Sequence, residues 1–240
     1  MSNRVTGAAD GHRQQMAGAR LTTPRAAAVA GIVFAALLIA TYVLLRSSVP
    51  EDPADSGEWL DSNAGRVQFA LWMVPFAGIA FLWFIGVMRD RLADREDQFF
   101  SSVLFGSGLL FIVTTFVATA LAGALIATYQ SYPEATLENG TYTLQRETIF
   151  RITNVFGLRM AGVFMFSSGT IGLRSATMPR WMVIVTYAGA VVQLVAVGFS
   201  LWFTLLFPMW VLLVSVYFLT SPPRSPGVSA VSGAPSPTSS

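Results

Sequence analysis

The chain has no cysteine and no lysine, and its single histidine, His12, lies in the N-terminal stretch. Without cysteine there is no disulfide framework, no thiolate metal site and no cysteine nucleophile. One histidine outside every apolar run excludes a bis-histidine haem and a histidine-based metal centre within a membrane, so no cofactor is expected. Charge is also scarce, at 12% of 240 residues. A soluble domain of this size needs far more to cover its surface. All 13 acidic residues, from Asp10 to Glu147, and every arginine but Arg159 fall outside the long apolar runs. The net charge of +2 therefore belongs to tails and loops. No arginine cluster is interleaved with aromatics on a soluble domain, so nucleic acid is not an expected partner.

What the chain does have is apolar length. Hydrophobic residues make up 53% of it, and they gather into six runs with short polar gaps. The hydrocarbon core of a bilayer demands about 20 apolar residues per helix. The spacing predicts an all-α, six-helix transmembrane bundle with spans at about 26–45, 67–88, 103–128, 152–173, 181–197 and 202–219. A polar arm, 1–25, precedes the transmembrane domain at 26–220. The Ser- and Pro-rich tail at 221–240 cannot bury a core and is expected to be disordered. The first apolar run is longer than a signal-peptide core and lacks an Ala-x-Ala sequence beyond it, so it reads as an uncleaved anchor.

Orientation follows from arginine. With the N-terminus inside, ten arginines flank the spans on the cytoplasmic side (Arg4, Arg13, Arg20, Arg25, Arg89, Arg91, Arg95, Arg174, Arg180 and Arg224). Four (Arg46, Arg66, Arg146 and Arg151) lie outside. That bias places both termini in the cytoplasm. Trp181, Trp202, Tyr129 and Tyr132 sit at span ends, where aromatic belts form. Pro75 and Pro208 predict kinks in the second and sixth spans. In the outer loop, Asn139-Gly140 between β-favouring residues predicts a small hairpin over Thr136–Thr143.

Chemistry is sparse. Arg159 is the ionisable side chain within a span, about 10 Å from its outer edge at ~1.5 Å per residue. With Asn154, and Gln193 from the fifth span, it would form a polar or anion site. Alternatively Arg159 is structural, snorkelling outward or paired with Glu147, Glu138 or an acid of the first outer loop. Glu147 and Arg151 stand four apart with the acid first, the favourable order for a helical pair. Ser167-Ser168-Gly169 has no nearby base to make a nucleophile of either serine, so packing is the better reading. Small residues four apart (Ala26 with Ala30, Ala118 with Ala122, Thr119 with Gly123, Gly157 with Ala161) suit close helix approach.

The stretch Leu173-Arg174, Met178-Pro179-Arg180-Trp181, then Phe207-Pro208-Met209-Trp210-Val211-Leu212, resembles six-span membrane proteins of actinobacterial type. So does Phe81-Leu82-Trp83-Phe84-Ile85-Gly86 leading into an arginine-bearing connector. The resemblance covers about Val67 to Leu219 and implies a bacterial plasma-membrane location, without an activity. The expectation is a non-enzymatic protein of the lipid bilayer, acting by helix packing or by binding a protein partner or a second copy. The alternative is a small permease or channel subunit with a polar path near Arg159.

Overall fold

A computed structural model describes residues 3–50, 57, 59–92, 98–138, 140–175, 177–195 and 203–220. The described residues are helical, without strands. Helix α1 covers Asn3–Ser48, α2 Trp59–Ser62, α3 Ala64–Leu92, α4 Gln98–Ser131 and α5 Pro133–Glu138. They are followed by α6 (Thr141–Arg151), a π-helical stretch (Ile152–Gly157), α7 (Leu158–Arg174), α8 (Arg180–Val195) and α9 (Phe203–Thr220). The polar arm thus begins the same helix as the first apolar run.

Five stretches are long and apolar enough to cross a membrane: Ala26–Ser48, Ala64–Gly86, Phe99–Ser131, Thr141–Arg174 and Phe203–Thr220. This is a multi-pass membrane protein. The fifth span of the sequence reading is a shorter helix of 16 residues, α8. At ~1.5 Å per residue it reaches about 24 Å, less than the ~30 Å hydrocarbon core. The Gly198-Phe199-Ser200 turn, the Asp94–Asp97 end of the inner connector and the 221–240 tail lie outside the described residues.

The helices form a closed ring. Each of α1, α3, α4, α7, α8 and α9 packs on the next in the chain, and α9 returns to α1. The centre of the ring is filled by aromatic side chains, one or two from nearly every wall. Phe34, Phe81, Phe84, Phe111, Phe164, Phe207 and Trp210 are all buried in one cluster. Phe81 lies 4.4 Å from Phe34 and 5.3 Å from Phe164 between ring centroids. Both prolines sit inside unbroken helices, Pro75 in α3 and Pro208 in α9. Pro208 is buried beside Phe207 and Trp210, so neighbouring side chains hold the helix through it.

The expected hairpin is not there. Pro133–Glu138 and Thr141–Arg151 are helices, and Asn139 lies outside the described residues. Gly140 does have positive φ, at 70°, but it uses that freedom to open α6. Leu144 N–H donates to the Gly140 carbonyl, starting a helical ladder instead of a strand pair. Pro133 suits the first position of α5, where its missing N–H costs no hydrogen bond. Packing decides the outcome. Tyr142 is buried in a second cluster with Trp59, Leu60, Val67, Leu71, Leu125, Ile126 and Tyr129. Trp59 Nε1 donates to Tyr142 Oη at 2.9 Å, and Tyr129 Oη to Asp61 Oδ1 at 2.8 Å. These bonds tie α2, α4 and α6 into a cap over the end of the ring remote from the N-terminus.

Candidate functional site: a cavity beneath the cap

Between the cap and the aromatic cluster the ring is not filled. A cavity of about 610 Å³ opens there, within the range of small-molecule sites. Its walls come from the same end of the bundle: the last turns of α1, Trp59 of α2, the first half of α3, the second half of α4, α6 with the π stretch, and the start of α9. Leu38, Val67, Leu71, Val74, Ala118 and Leu125 make most of it apolar.

The cause of the space is legible in the packing. Helix α1 packs along α3 and α9, whereas α6 and the π stretch pack on α4. The two sides face each other with little packing between them. Deeper in, Gln193 of α8 lies against Gly162 of α7, and a Cβ at Gly162 would stand 3.2 Å from the Gln193 Cβ. Gln193 Nε2 donates to the carbonyl of Phe203 at 3.3 Å. The first residue of α9 is therefore level with Gly162, eight residues inward of Asn154. Thr204 and Leu205 bound the cavity at that depth. Val43 and Phe150 line it and are also 51% and 39% exposed, so it reaches the side of the bundle between α1 and α6.

Small residues on α4 contribute as well. Ala118, Thr119 and Ala122, which the sequence reading assigned to close helix approach, line the cavity. The pair on the π stretch and α7 does serve packing: Gly157 and Ala161 are buried, and a Cβ at Gly157 would meet Thr114 Oγ1 at 3.3 Å. The π stretch just before α7 has a wider turn than an α-helix, which re-aims its side chains. Thr153 and Asn154 there line the cavity, and Asn154 Nδ2 donates to the Phe150 carbonyl at 3.1 Å.

The mouth is basic. Arg46 at the end of α1 and Arg146 of α6 both line it, as does Glu147. Glu147 pairs with Arg151 at 3.6 Å, in the i,i+4 arrangement that their spacing predicts. Arg146 Nη2 donates to the Pro50 carbonyl at 2.9 Å, and its guanidinium carbon stands 6.0 Å from the centre of the Tyr142 ring. Its Nη1 is buried and makes no hydrogen bond among the described residues. Sequence reasoning missed both arginines because they read as loop charges at span ends.

The three polar residues of the sequence reading are not brought together. Asn154 is in the cavity, and Gln193 is sealed among α7, α8 and α9. Arg159 is exposed on the outer surface of α7 and donates from Nη1 to the Val155 carbonyl at 3.3 Å. Val155 is one turn towards the capped end, the direction in which helical side chains tilt. This is the geometry of a snorkelling arginine. Arg159→Leu should therefore melt no lower than wild type in detergent. It should favour insertion, by less than the ~2.5–3.5 kcal/mol that applies at the bilayer centre. A loss of folded protein would mean that Arg159 holds a contact inside the bundle.

Ser167 and Ser168 are buried in α7, and Ser168 Oγ donates to the Phe164 carbonyl at 2.8 Å. Neither serine lines the cavity. The chain matches no protein-family model, and no curated protein or solved structure matches it either.

Proposed function

We propose that this chain is a non-enzymatic membrane protein that works by binding, holding a hydrophobic guest in the cavity beneath its cap. The observation that carries this reading is the cavity itself: a large, mostly apolar space, bounded by helices of the bundle and its cap and open to the side. A packed interior has few voids larger than a water molecule, so a space this size suits an occupant. We place six spans in the plasma membrane of a bacterium, with both termini cytoplasmic and the cap outside. The arginine bias supports that orientation, and the absence of lysine fits a GC-rich bacterial composition. The permease reading has less support, because Arg159 faces outward while Asn154 and Gln193 lie at different depths.

The test is photolabelling in phosphatidylcholine vesicles with a phosphatidylcholine that carries a diazirine in its acyl chain. Mass spectrometry should find label on Leu71, Val74 and Ala118, which the bundle shields, as well as on exposed Trp72 and Phe76. Ala118→Phe places a ring in the empty space, and should remove the label from Leu71 and Val74 while leaving Trp72 and Phe76 labelled. Label confined to the exposed residues of the wild type would overturn the reading.

A further inference from the structure

We propose that the guest is a diacyl glycerolipid, held by its ester carbonyls on the hydroxyls of Tyr42 and Thr153. This deepens the binding reading above and rests on it. Hydrocarbon offers a polar side chain no partner, so a threonine in a span donates to a carbonyl of its own helix. Three of the threonines that line the cavity do so. Thr41 Oγ1 donates to the Leu37 carbonyl at 2.9 Å, Thr115 to Phe111 at 2.8 Å and Thr119 to Thr115 at 2.8 Å.

Tyr42 and Thr153 differ. Both line the cavity, and neither side chain makes a hydrogen bond among the described residues. Both are half-buried, with hydroxyl oxygens that keep open surface. Thr153 owes its freedom to the π stretch, whose wider turn breaks the α-helical spacing. The Phe150 carbonyl, three residues back, is taken by Asn154 Nδ2. The rigid ring of Tyr42 holds its hydroxyl away from the backbone of α1, and such a hydroxyl normally finds a partner elsewhere.

The two donors stand at one depth. Phe34 and Phe111 meet in the aromatic cluster, 6.5 Å between centroids. Outward of them, Tyr42 is eight residues along α1 and Thr119 eight residues along α4, about 12 Å at ~1.5 Å per residue. Thr114 faces Gly157, so Thr153, four residues outward, stands opposite Ala118. The walls that carry the two hydroxyls, α1 and the π stretch, face each other across the cavity.

Two donors with no acceptor between them call for carbonyl oxygen. A glycerolipid has two ester carbonyls side by side, each heading a hydrocarbon chain that suits Leu38, Leu71 and Val74. Tyr42 is one helical turn inward of Arg46, near the edge of the hydrocarbon core where the esters of a leaflet lie. It also adjoins Val43, which with Phe150 marks the side opening. Esters are neutral, so this recognition makes no demand on the charges at the mouth.

The experiment compares two photoreactive phosphatidylcholines with the same diazirine chain, one a diester and one a diether that lacks both carbonyls. Each is present at equal low mole fraction in diether phosphatidylcholine vesicles holding the full chain. The diester should label Leu71, Val74 and Ala118 about twentyfold more than the diether does, the ratio that two net hydrogen bonds supply. Exposed Trp72 and Phe76 should take both equally. Tyr42→Phe and Thr153→Val each keep the shape and remove the hydroxyl. Either should lower the preference to about fivefold, and the two together should abolish it while the cavity stays labelled.

Equal cavity labelling of the wild type by the two lipids overturns the ester assignment and leaves the binding reading standing. No cavity labelling by either lipid removes both. A preference that survives the double variant shows that Tyr42 and Thr153 are not the donors. Displacement of the diester label by an equal mole fraction of ubiquinone-10 would reassign the hydroxyls to a quinone.

Discussion

Phe81→Ala should cost about 3 kcal/mol of stability, the largest loss expected from truncating one side chain of this protein. Phe81 is fully buried at the centre of the ring. Its centroid stands 4.4 Å from Phe34, 5.8 Å from Phe111, 5.3 Å from Phe164 and 5.6 Å from Phe207. Those partners belong to α1, α4, α7 and α9, so the one ring of α3 bridges four other walls. In a bilayer the transfer part of the usual Phe→Ala cost shrinks, since lipid tails are as apolar as the core. What remains is the lost contact with five rings, Phe84 of the same helix included, and the void left behind, because helices fixed on five sides cannot all close in. Equilibrium unfolding in mixed micelles measures it. A loss below about 1 kcal/mol would show that the cluster collapses onto the gap, and that the ring is far more plastic than its packing indicates.

The same residue shows what the sequence could and could not reveal. Phe81 and Trp83 stand two apart in one apolar run, yet Phe81 is fully buried and Trp83 is 67% exposed. In a soluble helix the exposed face would be polar and would announce itself. Here lipid accepts the same side chains as the core, so the runs are legible while their inward faces are not. That is why the fold class and most span positions could be read from hydropathy, and the aromatic cluster could not. The outward direction of Arg159 was hidden for a related reason. Depth in a span can be counted from the sequence, but the direction of a side chain around the helix depends on neighbours that the run does not specify.

The cavity was harder still. Its small residues, Ala118, Thr119 and Ala122, are the same types that bring helices together elsewhere in this bundle. Whether such a stripe closes an interface or leaves a space depends on what faces it. Here it faces the gap between α1 and the α6–π stretch, which a local pattern does not encode. The usable signal was the pair of arginines at span ends that the ring brings to one mouth. Asn139-Gly140 misled for the opposite reason, since its turn chemistry is genuine. Gly140 takes the positive φ that the dipeptide suggests, but burial of Tyr142 against Trp59 favours helix over strand.

Gly31→Val should cost about 3 kcal/mol as well, by the opposite mechanism of too much volume instead of too little. Helix α1 lies close to two neighbours here. A Cβ built on Gly31 would overlap Ser215 Oγ of α9 and stand 2.8 Å from Cδ2 of Phe84 on α3. Ser215 can turn its hydroxyl about one torsion, but the Phe84 ring has no room to move. Ser215 Oγ is buried, and Phe84 is fully enclosed in the aromatic cluster. Valine must therefore push α1 off two helices at once, at the seam that closes the ring. Gly123→Ala is the control, because nothing lies within 4 Å of a Cβ there. It should be neutral or stabilising by up to ~1 kcal/mol, the helix-propensity gain of alanine over glycine. A double-mutant cycle then identifies the contact. Ser215→Gly should recover part of the loss caused by Gly31→Ala, and only part, because Phe84 still stands in the way. If Gly31→Val melts with Gly123→Ala, or Ser215→Gly recovers nothing, then α1 and α9 do not meet at Gly31 and the ring is not closed there.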